Sequence, residues 1–151
     1  MSHVQLALNV NDLTESIAFY SKLFGVDPAK VRDGYANFAV SEPPLKLVLL
    51  ENPGHGGSIN HLGVEVDDTA AVNATQTRLI GAGLASVDQR GTTCCYAEQD
   101  KFWVQDAPNG EQWEVYAVLA DSPTFGCGSN SDGACSTTEP SEAATAGAGC
   151  C

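Results

Sequence analysis

The chain has 151 residues and a formal net charge of −12, from 7 Lys and Arg against 19 Asp and Glu. Such an acidic chain offers no basic face, which argues against binding to nucleic acid or to an anionic membrane surface. It has no apolar run near the roughly 18 residues of a membrane span and no basic-then-apolar leader. We therefore expect a cytoplasmic protein whose folded body is one domain, or two small halves sharing a core.

The first module predicted from the sequence covers residues 1–57. Asp12 with Glu15 three positions later forms a capping box, and Gly25 ends the apolar helical stripe that follows. Alternating apolar residues predict the strands, and Gly and Pro predict the linker. The predicted elements are a strand at 4–10, a helix between Asp12 and Gly25, strands at 35–40 and 45–50, and a linker at 52–57.

The second module, residues 58–120, repeats this plan. Its predicted elements are a strand at 61–66, a helix at 69–79, short strands at 92–97 and 102–104, and a last strand at 111–118. An offset of 56 positions places Gln5 on His61 and Leu23-Phe24-Gly25 on Leu79-Ile80-Gly81. We interpret the constant offset as an internal duplication, which predicts an α+β fold built from two βαβββ modules.

The remaining residues, 121–151, form a tail of Gly, Ser, Ala, Thr and Asp with one aromatic residue, Phe125. This composition cannot bury a core, so we predict disorder. The tail contains four of the six cysteines: Cys127, Cys135, Cys150 and Cys151. Without a leader, reduced thiols are expected rather than a disulfide framework.

Three polar residues interrupt otherwise apolar predicted strands: Gln5, His61 and Glu114. Gln5 and His61 are equivalent under the duplication, so the two first strands would bring them together. An amide oxygen, an imidazole and a carboxylate suit a divalent first-row metal and leave positions open for a substrate or dioxygen. Taken singly, a strand Gln is more often a hydrogen-bonding residue and a lone His more often structural.

A second candidate site is the adjacent pair Cys94-Cys95. Two neighbouring thiols could chelate a soft centre such as trivalent arsenic, Cd(II) or Zn(II). Buried cysteines also serve simply as small hydrophobic residues. Because neighbouring strand residues point to opposite faces, both thiols can grip one atom only if the segment is a loop or a bulge.

The motifs Phe19-Tyr20, Leu23-Phe24-Gly25 and Asp106-Ala107-Pro108-Asn109-Gly110 before Glu114 resemble signatures of the vicinal oxygen chelate superfamily, which includes glyoxalase I, extradiol dioxygenases and bleomycin-resistance proteins. The resemblance covers residues 4–118. It implies a glyoxalase-like fold, an incomplete barrel around a metal held by Gln5, His61 and Glu114. Glyoxalase I-like proteins use a fourth ligand near the position of Val48, so the apolar Val48 predicts an open site.

Within that superfamily, the chain is most similar to the organoarsenical carbon–arsenic lyase and cadmium-induced protein group. The similarity is carried by residues 34–39, 44–49 and 93–96, and by the terminal Cys150-Cys151. It implies an Fe(II)-dependent dioxygenase that cleaves the carbon–arsenic bond of trivalent organoarsenicals, with dioxygen as co-substrate. Gln5, His61 and Glu114 would be the catalytic metal ligands and Cys94 and Cys95 the substrate-binding residues. Cys150 and Cys151 could capture substrate or could simply be exposed thiols.

Two other readings stay open at this point. A non-catalytic protein could sequester Cd(II) or arsenite through its thiols. A ligand-binding protein of the bleomycin-resistance kind would need no metal, and the complete Gln5, His61 and Glu114 set argues against it. Half-barrels of this type often pair, so a homodimer is compatible with the sequence.

Overall fold

The structure, a computed structural model, describes residues 2–126. Its elements in chain order are β1 (His3–Val10), α1 (Leu13–Phe24), β2 (Lys30–Arg32), β3 (Tyr35–Val40), β4 (Leu45–Glu51), β5 (Ile59–Glu65), α2 (Thr69–Gly81), β6 (Ser86–Cys94), β7 (Ala97–Val104) and β8 (Trp113–Asp121). Of the two helices in this part of the chain, neither is both long and apolar enough to span a membrane.

One sheet contains all eight strands of the described region, in the order β2-β3-β4-β1-β5-β8-β7-β6. In each module the first strand lies parallel to the last, β1 beside β4 and β5 beside β8. The modules join where β1 and β5 pair antiparallel. This arrangement confirms the predicted α+β fold of two βαβββ modules that form an incomplete, glyoxalase-like barrel.

The strand register confirms the duplication in detail. Ala7 pairs with Val48 between β1 and β4, and Gly63 pairs with Glu114 between β5 and β8. The first members of these pairs, Ala7 and Gly63, are themselves 56 positions apart. Val48 is therefore the first-module counterpart of Glu114.

The helices lie on the outer side of the sheet. The Asp12 carboxylate accepts a hydrogen bond from the Glu15 amide at 2.7 Å, which satisfies one of the free N–H groups at the start of α1. Gly25 ends the helix with φ of 66°, a conformation that glycine adopts without steric cost. Apolar residues of β1, α1, β3 and β4 then form one core; its buried members are Val10, Leu13, Ala36, Phe38, Val40, Leu47 and Leu49.

Polar side chains point to the inner side of the sheet. Gln5, Gly63 and Glu114 occupy one row across the adjacent strands β1, β5 and β8. His61 lies two residues before Gly63 on β5, so strand alternation points it to the same side. The fold thus brings the three candidate metal ligands together at the junction of the two modules.

The second module differs from the sequence prediction between residues 92 and 97. That segment is the tip of the hairpin between β6 and β7, with Cys95 and Tyr96 as the two turn residues at φ of 52° and 61°. Positive φ at both positions is the turn geometry that matches the twist of a two-residue hairpin. The prediction of one strand through this segment was wrong, because neither turn residue is the Gly, Asn or Asp that usually signals such a turn.

The first residues of the predicted tail belong to the fold. β8 continues to Asp121, and the Phe125 ring packs edge-on against Tyr35 and Tyr96, with centroids 6.3 Å and 5.6 Å apart. Tyr35 lies on β3 and Tyr96 in the β6–β7 turn, so this contact helps to close the barrel. The predicted disorder of the remaining tail, residues 127–151, concerns residues outside the described part of the chain.

Candidate metal and thiol site

Three polar side chains meet inside the barrel at the junction of β1, β5 and β8. Gln5 Nε2 lies 3.0 Å from His61 Nε2 and 3.0 Å from Glu114 Oε1, and the last two atoms are 3.4 Å apart. All three residues are nearly inaccessible, with 4 %, 1 % and 2 % exposure. Such a buried polar cluster needs either complete internal hydrogen bonding or a cation.

The spacing of these atoms suits a single small cation. Two atoms bound to one ion at about 2.1 Å and at right angles lie about 3.0 Å apart, close to the separations observed here. Among residues 2–126 no group of three or more His, Cys, Asp or Glu side chains could hold a metal. A metal at this position therefore requires the Gln5 amide as its third ligand.

The amide of Gln5 can present its oxygen to such an ion. In the observed orientation Tyr116 has one hydroxyl proton for two acceptors, Gln5 Oε1 and Glu65 Oε2, the second at 2.9 Å. Exchange of the amide oxygen and nitrogen would let Tyr116 donate to Glu65 and accept from Gln5. The Gln5 oxygen would then face His61 Nε2 and Glu114 Oε1, so three lone-pair donors would converge.

Gly63 provides the space between two of these side chains. A Cβ added at this position would lie 3.2 Å from Gln5 Cβ and 3.2 Å from Glu114 Cγ. These contacts are tighter than ordinary van der Waals separations, so the absence of a side chain at Gly63 allows Gln5 and Glu114 to approach each other. The glycine is thus part of the site's geometry.

Gly63→Ala is expected to displace Gln5 and Glu114 and to weaken metal binding about tenfold or more, the scale seen when a ligand loses its support. Overpacking also costs about 1–3 kcal/mol of stability. Equilibrium dialysis with Fe(II) or Mn(II) measures the first effect and urea denaturation the second. Gly81→Ala is the matched control, because a Cβ there meets no atom within 4 Å. Unchanged metal affinity in Gly63→Ala would show that the spacing is not critical.

Lys101 is a component of the site that the sequence analysis missed. Its side chain is fully buried on β7, and Nζ donates to Glu114 Oε2 at 2.9 Å and to Cys94 Sγ at 3.1 Å. Nζ also lies 4.8 Å from the centre of the Trp103 ring. The ammonium therefore links the candidate metal ligands to the thiol hairpin. The predicted strand began at Phe102, one residue too late for alternation to reveal Lys101 as an inward side chain.

The charge state of Glu114 follows from its neighbours. Burial alone raises the pKa of this carboxyl group, but its hydrogen-bonding and charged neighbours, the Lys101 ammonium among them, lower it by more. The net pKa lies below its ordinary value, so Glu114 is a carboxylate. One oxygen faces Lys101, which leaves the other facing Gln5 and His61.

The cysteine pair lies at the β6–β7 turn, directly beside this cluster. The two sulfur atoms, Cys94 Sγ and Cys95 Sγ, are 3.7 Å apart. The segment is a turn rather than a continuous strand, which meets the condition that both sulfur atoms can approach one atom only from a loop or a bulge. Cys94 takes part in a disulfide bond, whereas Cys95 is a free, buried thiol. The paired thiols predicted from the sequence therefore require reduction of the Cys94 disulfide.

A small cavity of about 70 Å³ is lined by Cys95 and by two of the metal-ligand candidates, Gln5 and Glu114. Burial raises the pKa of the Cys95 thiol to about 12, and the Glu114 carboxylate adds to this effect. Cys95 is therefore a protonated thiol at neutral pH.

This raised pKa predicts a loss of stability in alkaline solution. The unfolded chain ionises Cys95 near its ordinary value of 9.0, whereas the folded protein holds the proton up to about 12. The folded state binds more protons in this window, so the free energy of unfolding should fall as pH rises from about 9 to about 12. Burial also raises the pKa of Tyr35 and of Tyr116, which act in the same sense.

Urea-denaturation midpoints across this pH range measure the effect. Cys95→Ala should show a shallower decline, because it removes one of the three groups. An equally steep decline in that variant would show that Cys95 does not carry a raised pKa.

Not all predicted residues can be placed in this site. Five of them lie close together inside the barrel: Gln5, His61, Glu114, Cys94 and Cys95. Cys150 and Cys151, predicted to capture substrate, lie outside the described residues, so their role stays a prediction.

Sequence similarity to two other proteins extends over most of this chain. A protein of *Thermomonospora curvata* called trivalent organoarsenical cleaving enzyme is 56% identical over 154 residues, covering 100% of both chains. The cadmium-induced protein CadI of *Mycobacterium tuberculosis* is 63% identical over 128 residues, which is 85% of this chain and 84% of that protein.

Solved structures and a family model agree with the fold. The Mn(II)-bound glyoxalase of *Novosphingobium aromaticivorans* superposes with a TM-score of 0.56 at 19% identity, covering 81% of this chain and 42% of that one, which shows a shared fold. The model of the Glyoxalase/Bleomycin resistance protein/Dioxygenase superfamily matches residues 1–115. The chain therefore belongs to the glyoxalase/bleomycin resistance protein/dioxygenase superfamily.

Proposed function

We propose that this protein cleaves the carbon–arsenic bond of trivalent organoarsenicals, such as methyl- or aryl-arsenic(III), and so confers resistance to them. The observation that carries the proposal has two parts: Lys101 joins the Gln5, His61 and Glu114 cluster to the Cys94-Cys95 turn, and Gln5, Glu114 and Cys95 line one cavity. The name of the *T. curvata* relative, which matches the whole chain, supports the same substrate class.

The two cysteines are assigned to arsenic binding. Each thiol condenses with one hydroxyl group of R–As(OH)₂, so two As–S bonds form and two water molecules leave. This exchange starts from protonated thiols and therefore agrees with the raised pKa of Cys95. It needs Cys94 in its reduced form, which we expect in the cytoplasm, where thiols are kept reduced.

Gln5, His61 and Glu114 are assigned to one Fe(II) ion. When bound, this ion would supply the binding and activation of dioxygen, with positions left open by only three protein ligands. Lys101 holds one Glu114 oxygen at 2.9 Å, so that the other faces the proposed ion position. The same ammonium lies 3.1 Å from Cys94 Sγ and thereby sets the distance between the arsenic-binding turn and the ligands.

The overall reaction balances for the methyl substrate. CH₃As(OH)₂ and O₂ give formaldehyde and As(OH)₃, with the same atoms on both sides. The methyl carbon loses four electrons, dioxygen gains four, and arsenic stays trivalent. Dioxygen is therefore the only oxidant required. Holding both reactants in one buried cavity replaces a bimolecular encounter with a positioned one.

The test follows oxygen and arsenic together. The protein is reduced with a phosphine, loaded anaerobically with Fe(II), mixed with methylarsenic(III) and then exposed to air. We expect one dioxygen consumed for each arsenite and each formaldehyde released, and none of these changes in metal-free protein. Mn(II)-loaded and Zn(II)-loaded samples test whether iron is the metal required.

The alternative is a non-catalytic thiol protein that binds Cd(II) or arsenite. The cysteine turn favours it, since two sulfur atoms 3.7 Å apart would suffice for soft-metal binding. Tight binding of the arsenical without oxygen uptake in the same experiment would replace the enzymatic proposal with this one.

A further inference from the structure

The second ring nitrogen of His61 is held by a neighbouring amide. His61 Nδ1 lies 2.8 Å from Asn60 Oδ1. If Nδ1 carries the proton, Nε2 presents a lone pair to Gln5 and Glu114. If Nε2 carries the proton, the cluster has no imidazole lone pair to offer a cation. The tautomer of His61 therefore decides whether this cluster can bind a metal.

Hydrogen bonds that begin in the linker between the modules fix the direction of this contact. The carbonyl oxygen of His55 can only accept, and the Ser58 hydroxyl donates to it at 2.6 Å. The Ser58 oxygen is then left as an acceptor for Asn9 Nδ2, 2.9 Å away. This sets the orientation of the Asn9 amide, because Asn9 is buried and its amide must find partners within the protein.

The orientation of Asn9 sets that of the next amide. Asn9 Oδ1 faces Asn60 Nδ2 at 3.0 Å, and it also accepts from Asn52 Nδ2 at 3.3 Å. With its nitrogen committed to Asn9, Asn60 can present only its oxygen to His61 Nδ1. An oxygen at that position requires a proton on Nδ1.

The other side of the ring does not fix the tautomer. Gln5 lies 3.0 Å from His61 Nε2 and faces it with its amide nitrogen in the observed orientation, but with its oxygen after the amide exchange described above. The Glu114 carboxylate, 3.4 Å from Nε2, would favour the opposite tautomer.

We propose that Ser58, Asn9 and Asn60 act as a directional hydrogen-bond relay that holds His61 in its Nδ1–H tautomer. These are positioning residues, since none of them belongs to the proposed ligand set. The relay opposes the pull of Glu114 on the ring proton and keeps the Nε2 lone pair available. Its link to metal binding rests on the proposed function, but the tautomer itself does not.

The tautomer is measured in metal-free protein labelled with ¹⁵N in the histidine rings. The ring ¹⁵N chemical shifts distinguish the two neutral tautomers from each other and from imidazolium, and His61 is assigned by comparison with His61→Gln. We expect the Nδ1–H form in the unaltered protein and a shift toward the Nε2–H form in Asn60→Leu. Asn60→Asp keeps an acceptor at Nδ1 and should retain the Nδ1–H form.

Two further variants test the relay itself. Ser58→Ala should shift part of the population toward the Nε2–H form, although Ser58 does not touch His61. Asn52→Ala is the matched control, because Asn52 donates to the same Asn9 oxygen but does not lie between Ser58 and His61. It should leave the tautomer unchanged.

Metal affinity gives the functional readout. Asn60→Leu should weaken Fe(II) or Mn(II) binding by about 10–100-fold, as is typical when a ligand loses its outer hydrogen bond, whereas Asn60→Asp should stay within a few fold of the unaltered protein. The relay is overturned if Asn60→Leu keeps the Nδ1–H form, or if Ser58→Ala and Asn52→Ala behave alike. A shifted tautomer without loss of metal affinity would contradict the proposed ligand set and leave the relay intact.

Discussion

Glu114→Gln is expected to weaken Fe(II) binding by more than about 100-fold and to abolish arsenite release. Loss of a hydrogen-bond partner of a ligand already costs about 10–100-fold in affinity, so loss of a charged ligand should cost more. The substitution keeps the size of the side chain, so the cavity beside Cys95 should retain its shape. Equilibrium dialysis measures the affinity, and arsenical binding by the reduced protein should be unaffected.

The same substitution leaves the buried Lys101 ammonium without its carboxylate partner. Breaking a buried ion pair from one side costs about 3–5 kcal/mol, so Glu114→Gln should also be less stable. The double variant with Lys101→Met removes the unpaired charge and should recover much of that stability while metal binding stays lost. Recovery of metal binding in the double variant would show that the first effect came from misfolding.

Cys95→Ser is expected to weaken binding of the arsenical and to leave Fe(II) binding unchanged, the opposite of Glu114→Gln. Two As–S bonds hold the arsenical, and the loss of one removes the advantage of a second, intramolecular attachment, on the order of 100-fold or more in affinity. We therefore expect a large rise in KM for methylarsenic(III) in the reduced protein, with Fe(II) affinity unchanged. Titration with the arsenical and steady-state oxygen uptake provide the two readouts.

A substitution in the same hairpin controls for local disturbance. Thr93→Ser keeps both thiols and removes only a methyl group, so its KM should stay within a few fold of the unaltered protein. If Cys95→Ser retains full turnover at low arsenical concentration, the two cysteines do not form the arsenic-binding site.

The candidate metal ligands could be predicted because strand alternation and the constant offset of 56 positions can both be recognised in the sequence itself. Gln5 and His61 occupy equivalent positions in a duplicated strand, and a first strand pairs with its counterpart where the two modules meet. Glu114 stood out as a polar residue that interrupts the apolar last strand. The structure places all three within hydrogen-bonding distance of one another, as expected.

The surroundings of these residues could not be predicted in the same way. Lys101 lies inside the barrel because β7 begins at Ala97 and alternates from there, and that beginning depends on a turn with no Gly or Asn. Gly63 gave no signal as a spacer, since the residues that it separates come from two other strands. The role of Asn60 depends on contacts with Asn9, 51 positions earlier in the chain. Tertiary pairing, which no local pattern encodes, decides each of these features.

The two duplicated halves, which meet where β1 pairs with β5, contribute unequal numbers of candidate ligands to the site. The first half contributes Gln5, whereas the second contributes His61 and Glu114. At the place equivalent to Glu114 the first half has Val48, which packs against Ala7, Tyr35 and the cysteine turn.

Neither half contains a complete set of ligands, so an ion bound by all three would stabilise the association of the halves through its binding free energy. If the backbone is cut in the linker at residues 52–57, metal should promote reassembly of the two fragments. The metal would then hold the two modules together at the β1–β5 junction.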